Sequence, residues 1–386
     1  MRRSRTSTDK TPPYNLLAEQ YPISYPDFMI EGLNRLMTRG LNQLQWPAMV
    51  VVASLFLTAC QKPQAVTLPS ISLPPGIPFT LLRPPAPPVS PSDKKTQDFI
   101  GVLSGIADES GNLVVTGYQG TLLRLSHRTE KWSRPALPIH VDFYGINRTP
   151  SGVLWVAGDQ GVLLRSKDRG RSWEQVKTGI DHLFLNAISF PTDRVGFAVG
   201  EKGVILRTVD GGDHWTRLNS PTKKNLYAVI FADGSHGLVA GWHKRLFRTT
   251  DGGSRFTAVD IPVQKVTRQK PSFNSLWAAK EQVLLAGDHG LLFSSSDGGK
   301  SFSQIQTGTL HDLYGVCRTG EGAIAVVGEQ GTLVMINRSP SGEAKTESPL
   351  GPFHGSDFLG VSCGQTHVRL AGSNDVVLVP ASRPGN

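Results

Sequence analysis

The chain contains short stretches in which apolar and polar residues alternate, which is the pattern of half-buried β-strands. Six of these stretches open similar units: FIGVLS from Phe99, FYGINR from Phe143, LNAISF from Leu185, LYAVIF from Leu226, LYGVCR from Leu313 and FLGVSC from Phe358. A less regular one, FNSLWAA, begins at Phe273. The pattern predicts an all-β protein.

A second strand follows in each unit and ends at a glycine, and these glycines recur every 41 to 46 residues: Gly117, Gly158, Gly200, Gly241, Gly287, Gly328 and Gly372. Five of them open a Gly-x-x-Gly turn, while GWHK and GSND replace it in units four and seven. Such turns close β-hairpins, because glycine tolerates positive φ. Phosphate-binding loops lead into a helix instead, and no helical period follows here. The repeat predicts a seven-bladed β-propeller of four-stranded blades.

Four units carry a Ser/Thr-x-Asp-x-Gly-x-x-aromatic turn after the third strand: SKDRGRSW, TVDGGDHW, TTDGGSRF and SSDGGKSF. Its acidic residues are Asp168, Asp210, Asp251 and Asp297. These turns resemble the Asp-box, or bacterial neuraminidase repeat. The carboxylate accepts backbone N–H bonds, glycine takes the left-handed conformation and the aromatic ring packs under the hairpin. We therefore expect the box to be structural.

Unit seven has three recognisable strands, so its outer strand must come from elsewhere in the chain. The segment GIPFTLLR, residues 76–83, is the candidate, because an N-terminal strand would close the ring and remove an exposed edge.

The N-terminal region looks like a lipoprotein signal peptide. An apolar run from Trp46 to Ala59 is too short for a comfortable membrane span and ends at Leu-Thr-Ala-Cys, which resembles a bacterial lipobox with Cys60 as the lipidated residue. An ordinary signal anchor is the alternative. Residues 1–60 are interpreted as an over-extended start plus this signal peptide, since Met29 or Met37 would give one of normal length.

The predicted lipoprotein continues with a spacer and the folded body. Residues 61–96 contain ten prolines and are typical of an extended spacer, and residues 97–386 form the propeller. Gln61 follows the cysteine where lipoproteins of the inner membrane usually carry Asp. We therefore expect the chain in the cell envelope, at the periplasmic face of the outer membrane.

The formal net charge is +9, from 40 Lys and Arg residues against 31 acidic ones, but no block of like charges stands out. This argues against nucleic acid and suits an acidic protein partner or an anionic membrane surface. The ten histidines show no metal-ligand spacing, so no metal is expected.

Seven repeat units behind a lipobox, some of them of the forms LLRS-x-D-x-G-x-SW and ILRT-x-DGG-x-x-W, resemble the photosystem II stability and assembly factor family over residues 76–386. The resemblance implies a monomeric propeller without a cofactor or enzymatic activity. Photosynthetic members escort a new membrane subunit during complex assembly, and relatives occur in bacteria that do not photosynthesise. A protein partner, belonging to a membrane complex, is therefore expected. Units one, six and seven lack the box.

Basic patches serve as partner contacts in that family, and one repeat position here carries four arginines: Arg124, Arg165, Arg207 and Arg248. They could hold an acidic peptide through bidentate contacts, or each could bond its own or a neighbouring Asp-box. The second interpretation is favoured. Arg148 and Arg318 match one another at the end of the innermost strand and are weaker candidates. Three tyrosines at the second position of that strand could line the channel, although packing is preferred: Tyr144, Tyr227 and Tyr314.

Acidic residues recur directly after the second-strand glycine, on the face where sialidases keep their active sites: Asp159, Glu201, Asp288 and Glu329. A catalytic pair would break the repeat, whereas these residues follow it, so turn chemistry is the better explanation. A glycan hydrolase or glycan-binding propeller remains the alternative function, and a passive envelope protein is a third. Cys317 and Cys363 occupy neighbouring innermost strands, where an oxidising envelope would permit a disulfide. We expect two buried free thiols instead, since adjacent blades splay and the two positions differ by one residue along their strands.

Overall fold

The computed structural model describes residues 80–82, 102–108, 110–263, 270–338, 344–347, 357–364, 367–372 and 376–380. These residues form seven antiparallel sheets of four strands each, as the 42-residue repeat predicts. The predicted signal peptide, Cys60 and most of the predicted spacer lie outside the described residues.

The first four blades follow one another directly along the chain. Blade 1 contains β2 (Val102–Ala107), β3 (Leu113–Gly117), β4 (Leu122–Leu125) and β5 (Trp132–Ser133). Blade 2 contains β6 (Phe143–Arg148), β7 (Leu154–Gly158), β8 (Leu163–Ser166) and β9 (Glu174–Val176). Blade 3 contains β10 (Leu185–Ser189), β11 (Gly196–Gly200), β12 (Ile205–Thr208) and β13 (Thr216–Arg217). Blade 4 contains β14 (Leu226–Phe231), β15 (Gly237–Gly241), β16 (Arg245–Thr249) and β17 (Thr257–Ala258).

The last three blades include the one that joins both ends of the fold. Blade 5 contains β18 (Phe273–Ala279), β19 (Gln282–Gly287), β20 (Leu292–Ser295) and β21 (Ser303–Ile305). Blade 6 contains β22 (Leu313–Arg318), β23 (Ile324–Gly328), β24 (Thr332–Arg338) and β25 (Ala344–Glu347). Blade 7 contains β26 (Phe358–Cys363), β27 (His367–Gly372), β28 (Val376–Pro380) and β1 (Thr80–Leu82).

The predicted closing strand is present. Strand β1 lies within residues 76–83 and pairs antiparallel with β28, with Thr80 opposite Leu378 and Leu82 opposite Val376. The innermost strands of successive blades contact one another around the ring, and β26 of blade 7 contacts β2 of blade 1. The N-terminal strand therefore supplies the outer edge of blade 7 and closes the propeller.

The hydrophobic core lies between neighbouring blades. Second strands such as β7 and β11 are buried along their whole length, because both faces of a central blade strand pack against other blades. The aromatic residue of each Asp-box joins the cluster shared with the preceding blade. Trp215 of blade 3, for example, packs edge-on against Trp155 of blade 2 with ring centroids 5.9 Å apart. The box thus anchors its blade to the previous one.

The Gly-x-x-Gly turns connect second and third strands as tight hairpins. In blade 2 the two left-handed residues are Gln160 (φ 55°) and Gly161 (φ 70°). The first glycine, Gly158, is extended, and its lack of a side chain has a different cause. A Cβ there would lie 2.5 Å from the carbonyl oxygen of Asp142. The absence of a side chain at Gly158 lets the residue directly before β6 approach the turn closely.

Each innermost strand contains an irregularity in its register at the second residue. In blade 2 the pairs are Phe143 with Gly158 and then Gly145 with Ala157, which leaves Tyr144 unpaired. The other six blades show the same interruption. A bulge of this kind redirects the side chain of the extra residue. A bulge that is present in all seven blades therefore sets the direction of the side chain at the repeat position of Tyr144.

The expectation of two free thiols is wrong. Cys317 on β22 and Cys363 on β26 form a disulfide, with their Cα atoms 5.7 Å apart. Blades splay at the rim but converge at the channel, and β22 and β26 contact one another there. The one-residue difference in strand position does not prevent bonding, because the Cα separation lies within the usual range for disulfides.

Candidate binding surface on the Asp-box face

The propeller has two distinguishable faces. Strands within a blade run antiparallel, so the turns between second and third strands lie on one face, here called the turn face. The Asp-box turns follow third strands and therefore lie on the opposite face, here called the box face. Arg148 and Arg318 end their innermost strands on the box face as well.

The Asp-box carboxylates are occupied within their own turns. Asp168 Oδ1 accepts the backbone N–H groups of Arg171 and Ser172 at 3.0 and 2.9 Å and the hydroxyl of Ser166 at 2.8 Å. Desolvation is the largest single contribution and opposes ionisation, but the hydrogen bonds from Ser172, Ser166 and Arg171 together outweigh it and lower the pKa of Asp168 to about 2. The pKa values of Asp210, Asp251 and Asp297 are also lowered, chiefly by hydrogen bonds from His214, Arg255 and Ser301.

Two of the four repeat-position arginines bond the backbone of the next blade. Arg124 of blade 1 donates from Nε to the carbonyl oxygen of Arg169, in the blade 2 box, at 3.0 Å. Arg248 of blade 4 donates from Nε to the carbonyl oxygen of Gly298, in the blade 5 box, at 3.0 Å. The acceptor is in both cases the residue directly after the box aspartate. We call this contact the arginine latch.

Arg165 makes the same contact and adds two carboxylates. Its Nη1 donates to the carbonyl oxygen of Gly211, in the blade 3 box, at 3.3 Å and to Asp213 at 2.7 Å, and its Nε donates to Glu174 at 2.7 Å. Although burial acts against the charge, hydrogen bonds from the guanidinium to Asp213 and Glu174 raise the pKa of Arg165.

Arg207 occupies the equivalent place without the hydrogen bond. A Cβ on Gly252, in the blade 4 box, would lie 3.1 Å from Arg207 Nη2, so the guanidinium lies against the next box as the others do. Its Nε is buried and has no hydrogen-bond partner among the described residues. The side chain also lies over the ring of Phe197, 5.8 Å from the centroid.

Three of the arginines therefore bond neighbouring blades, blade 1 to 2, 2 to 3 and 4 to 5, in agreement with the structural interpretation. Arg207 lies against the blade 4 box without a hydrogen bond to it. The bonded group is the turn carbonyl rather than the box carboxylate that we had considered. In blades 5 and 6 the position is Ser294 and Met335, and blade 6 lacks a box. The arginine occurs where the next blade has a box, and this offset is readable from the sequence.

The other candidates at the innermost strands are also engaged. Arg318 donates from Nη1 to Gln282 at 2.8 Å and lies over the ring of Trp277. Tyr144 packs edge-on against Phe184 of the loop before blade 3, with centroids 6.1 Å apart. Burial first, and then surrounding carboxylates, raise the pKa of Tyr144 and of Tyr314. Packing between blades accounts for Tyr144, as preferred.

The turn face has a second kind of contact between neighbouring blades, an Asp or Asn cap, which the sequence did not predict. Asp142 Oδ1, directly before β6, accepts the backbone N–H of Gln119 in the blade 1 turn at 2.7 Å. The same position before β14, β22 and β26 accepts the equivalent N–H of the preceding blade: Asn225 from Lys202, Asp312 from His289 and Asp357 from Gln330. A hydrogen-bond acceptor recurring before the first strand was the available sequence signal.

The repeated acidic residues of the turn face take part in turn structure. Asp159 accepts the N–H of Gln160 at 2.6 Å, and Asp288 accepts the N–H of Ser272 and the side-chain amide of Asn274. Burial raises the pKa of Asp288, and the neighbouring charge of Asp312 raises it further. These contacts agree with a role in turn structure. All four recurring acidic residues keep their repeat position, whereas a catalytic pair would depart from it.

Within the described ranges, no group of three or more His, Cys, Asp and Glu side chains is placed to hold a metal ion. The part of the chain that the structure describes also contains no helix long and apolar enough to cross a membrane.

Two cavities flank Arg248 where blades 4 and 5 meet on the box face. The inner cavity, of about 310 Å³, has apolar walls from Ile230, Leu238, Ala278 and Val283. The outer cavity, of about 330 Å³, is lined by Arg248, Arg255 and Lys300, together with Asp251 and Asp260. We call the two cavities the blade 4–5 groove. Arg255 and Lys300 are exposed, unlike the latch arginines.

Comparison with known families decides where the chain belongs. The profile described as photosynthesis system II assembly factor YCF48 matches residues 76–209 and 209–333, which is more than half of the chain. The chain belongs to the YCF48 family. No curated protein matches it significantly.

Solved structures share the fold of this YCF48-family chain at low sequence identity. Virginiamycin B lyase from Staphylococcus aureus has a TM-score of 0.64 at 10% identity, with 78% of this chain and 99% of that chain covered. The structure titled "YCF48 bound to D1 peptide" has a TM-score of 0.59 at 12% identity, covering 82% and 100%. A GH74 enzyme of Niastella koreensis has a TM-score of 0.53 at 17% identity, covering 73% and 43%. At these identities the likeness shows the propeller alone.

Proposed function

We propose that this chain is a non-catalytic, exported scaffold that holds a segment of a partner protein while a membrane complex is assembled. Membership of the YCF48 assembly-factor family carries the proposal. A related propeller is described as bound to a D1 peptide, which supports a protein segment as the ligand. The partner of this chain would be a subunit of a membrane complex, in a photosynthetic host or in another bacterium.

Rigidity supports a scaffold role. Arginine latches on the box face and Asp or Asn caps on the turn face bond neighbouring blades at opposite ends of their strands. A ring held at both faces presents its loops in fixed positions, so little conformational entropy is lost when a partner binds. Two of the recurring acidic residues, Asp159 and Asp288, accept hydrogen bonds from neighbouring residues, which supports a structural role for them.

We further propose that the chain is exported and lipid-anchored through Cys60, at the periplasmic face of the outer membrane, as a monomer. The disulfide between Cys317 and Cys363 supports an oxidising compartment, since such bonds persist outside the cytosol. Replacing Cys60 by Ala should move the protein from the membrane fraction to the soluble fraction of the envelope. Retention in the membrane by the variant would contradict the anchor.

The test of the scaffold role is affinity capture from detergent-solubilised envelopes, with tagged protein of the full chain as bait. We expect one membrane-complex subunit to be enriched in stoichiometric amount, and deletion of the gene to reduce the amount of that assembled complex. A normal level of every envelope complex after deletion would contradict the role. Release of sugar from envelope glycans by the purified protein would favour the hydrolase.

A further inference from the structure

The blade 4–5 groove combines an inner cavity that has aliphatic walls with an outer cavity that contains three basic residues. Arg248 lines both cavities. Its Nε donates to the Gly298 carbonyl oxygen, so this shared side chain is held in the latch. A ligand that fills both cavities must therefore be elongated and lie along the boundary between the blades.

The inner cavity has the character of an aliphatic side-chain pocket. Ile230 and Ala278 are partly buried and pack on the core cluster that contains Leu238 and Val283. Its volume of about 310 Å³ is at the lower end for ligand pockets. The charged residues Asp233, His236, Lys280 and Glu281 line the same cavity. An apolar group can lie between the aliphatic walls.

The outer cavity contains exposed cations, one of which, Arg255, also helps to lower the pKa of Asp251 through its charge. Among the described residues, neither the guanidinium of Arg255 nor the ammonium of Lys300 forms a hydrogen bond or ion pair. Asp251 faces the same space, but its Oδ1 already accepts the Thr249 hydroxyl at 2.8 Å and the Arg255 N–H at 2.9 Å. The cavity lining has three cations, Arg248, Arg255 and Lys300, against the two carboxylates of Asp251 and Asp260. This excess of positive charge favours an incoming carboxylate, which Arg can bind through two parallel bonds.

We infer that the groove seats an extended segment of the partner protein, with an aliphatic side chain in the inner cavity and an acidic side chain between Arg255 and Lys300. The inference rests on the proposed function and names the chemistry of its ligand. It assigns recognition to residues that differ among the boxes, because the positions of Arg255 and Lys300 are occupied by Ser172 and Arg171 in blade 2. The groove thus gives one blade boundary a specificity that the repeat does not.

The probes are fluorescein-labelled peptides in which Leu-Leu is followed, after one to four serines, by Asp-Asp, with a matched series ending in Lys-Lys. Binding to the full-length protein in detergent is measured by fluorescence anisotropy. We expect at least one acidic peptide to bind and its Lys-Lys counterpart to bind at least tenfold more weakly. The double variant R255E/K300E should weaken the acidic peptide at least tenfold.

Two further variants separate the parts of the groove. A278F fills the inner cavity and should weaken the acidic peptide, and A278L does the same if the larger ring prevents folding. R171E changes the position equivalent to Lys300 in blade 2 and should leave binding unchanged. Absence of binding by every acidic peptide, or an equal loss in R171E, would overturn the inference.

Affinity capture distinguishes this inference from the proposed function. If R255E/K300E captures the same membrane subunit as the wild type, the scaffold stands and the groove is not the seat. If peptides bind the groove as expected but the wild type captures no subunit, the ligand chemistry stands and the assembly role fails. Loss of the subunit only in R255E/K300E, with R171E normal, supports both.

Discussion

The disulfide between blades 6 and 7 should contribute strongly to the stability of the ring. It closes a loop of 46 residues, which in the chain-entropy treatment raises the free energy of unfolding by about 4 kcal/mol. Cys317 is buried, so the bond also lies out of contact with most of the solvent. No arginine latch acts here, because Met335 occupies the latch position of blade 6. The disulfide is thus a covalent tie at a boundary that lacks the box-face contact.

The assay is urea unfolding followed by tryptophan fluorescence, with oxidised protein, reduced protein and the C317A/C363A variant. We expect the free energies of unfolding of the reduced protein and of the C317A/C363A variant to agree within about 1 kcal/mol. Both should lie below that of the oxidised protein by about 3–4 kcal/mol. Comparing reduced protein with the alanine variant separates the tie from the packing of the two side chains.

The reasoning would be refuted by equal stability of oxidised and reduced protein, provided that mass spectrometry finds the bond intact in the first. It would also be refuted if the two thiols were alkylated in native protein purified without reductant. The first result would mean that blade 7 is held fully by its strand pairing. The second would mean that the Cα separation of 5.7 Å is not used for a bond.

Three further predictions concern the latches and boxes. Arg124→Met should lower the free energy of unfolding by about 2 kcal/mol and Arg207→Met by less, because of these two side chains only Arg124 donates a hydrogen bond to the next blade. Equal losses of stability in urea unfolding would contradict the latch. Asp142→Ala should cost about 1 kcal/mol, whereas Asp142→Asn, which mimics Asn225, should match or exceed wild-type stability at pH 7. Burial raises the pKa of Asp142, so its ionisation costs stability as pH rises, and the benefit of Asn should vanish near pH 3. Asp168 has a lowered pKa, so its contribution is present above pH 4 and is lost as pH falls toward 2; thermal melts should show a smaller acid dependence in Asp168→Asn, and an unchanged one would count against this account.

The propeller was predictable because each of its signals is local and repeated. Alternating strands, glycine turns and boxes recur in register, and an incomplete seventh unit indicates that another segment must close the ring. Strand β1 needed only a short apolar stretch near Thr80 in an otherwise proline-rich region. These features depend on neighbours along the chain, which a sequence displays directly.

Contacts between blades were harder to predict, because they depend on distances across the ring. The disulfide was missed since sequence spacing does not report how closely innermost strands approach. The arginines were identified but their acceptor was not, because a backbone carbonyl leaves no trace in residue identity. The blade 4–5 groove was missed because Leu238, Arg255 and Lys300 share no repeat position and come together only when the two blades pack.

The pairing of β1 with β28 also determines when the molecule can finish folding. Thr80 can pair with Leu378 only after the residues between them have been synthesised, so closing the ring carries the entropic cost of a very long loop. Six blades can form in the order of synthesis. The seventh cannot be completed until β26, β27 and β28 have been made and can pair with β1, the first strand of the chain. Any truncation before Val376 removes the partner of β1 and leaves an open ring with an exposed sheet edge. Completion of the propeller thus depends on synthesis having passed β28.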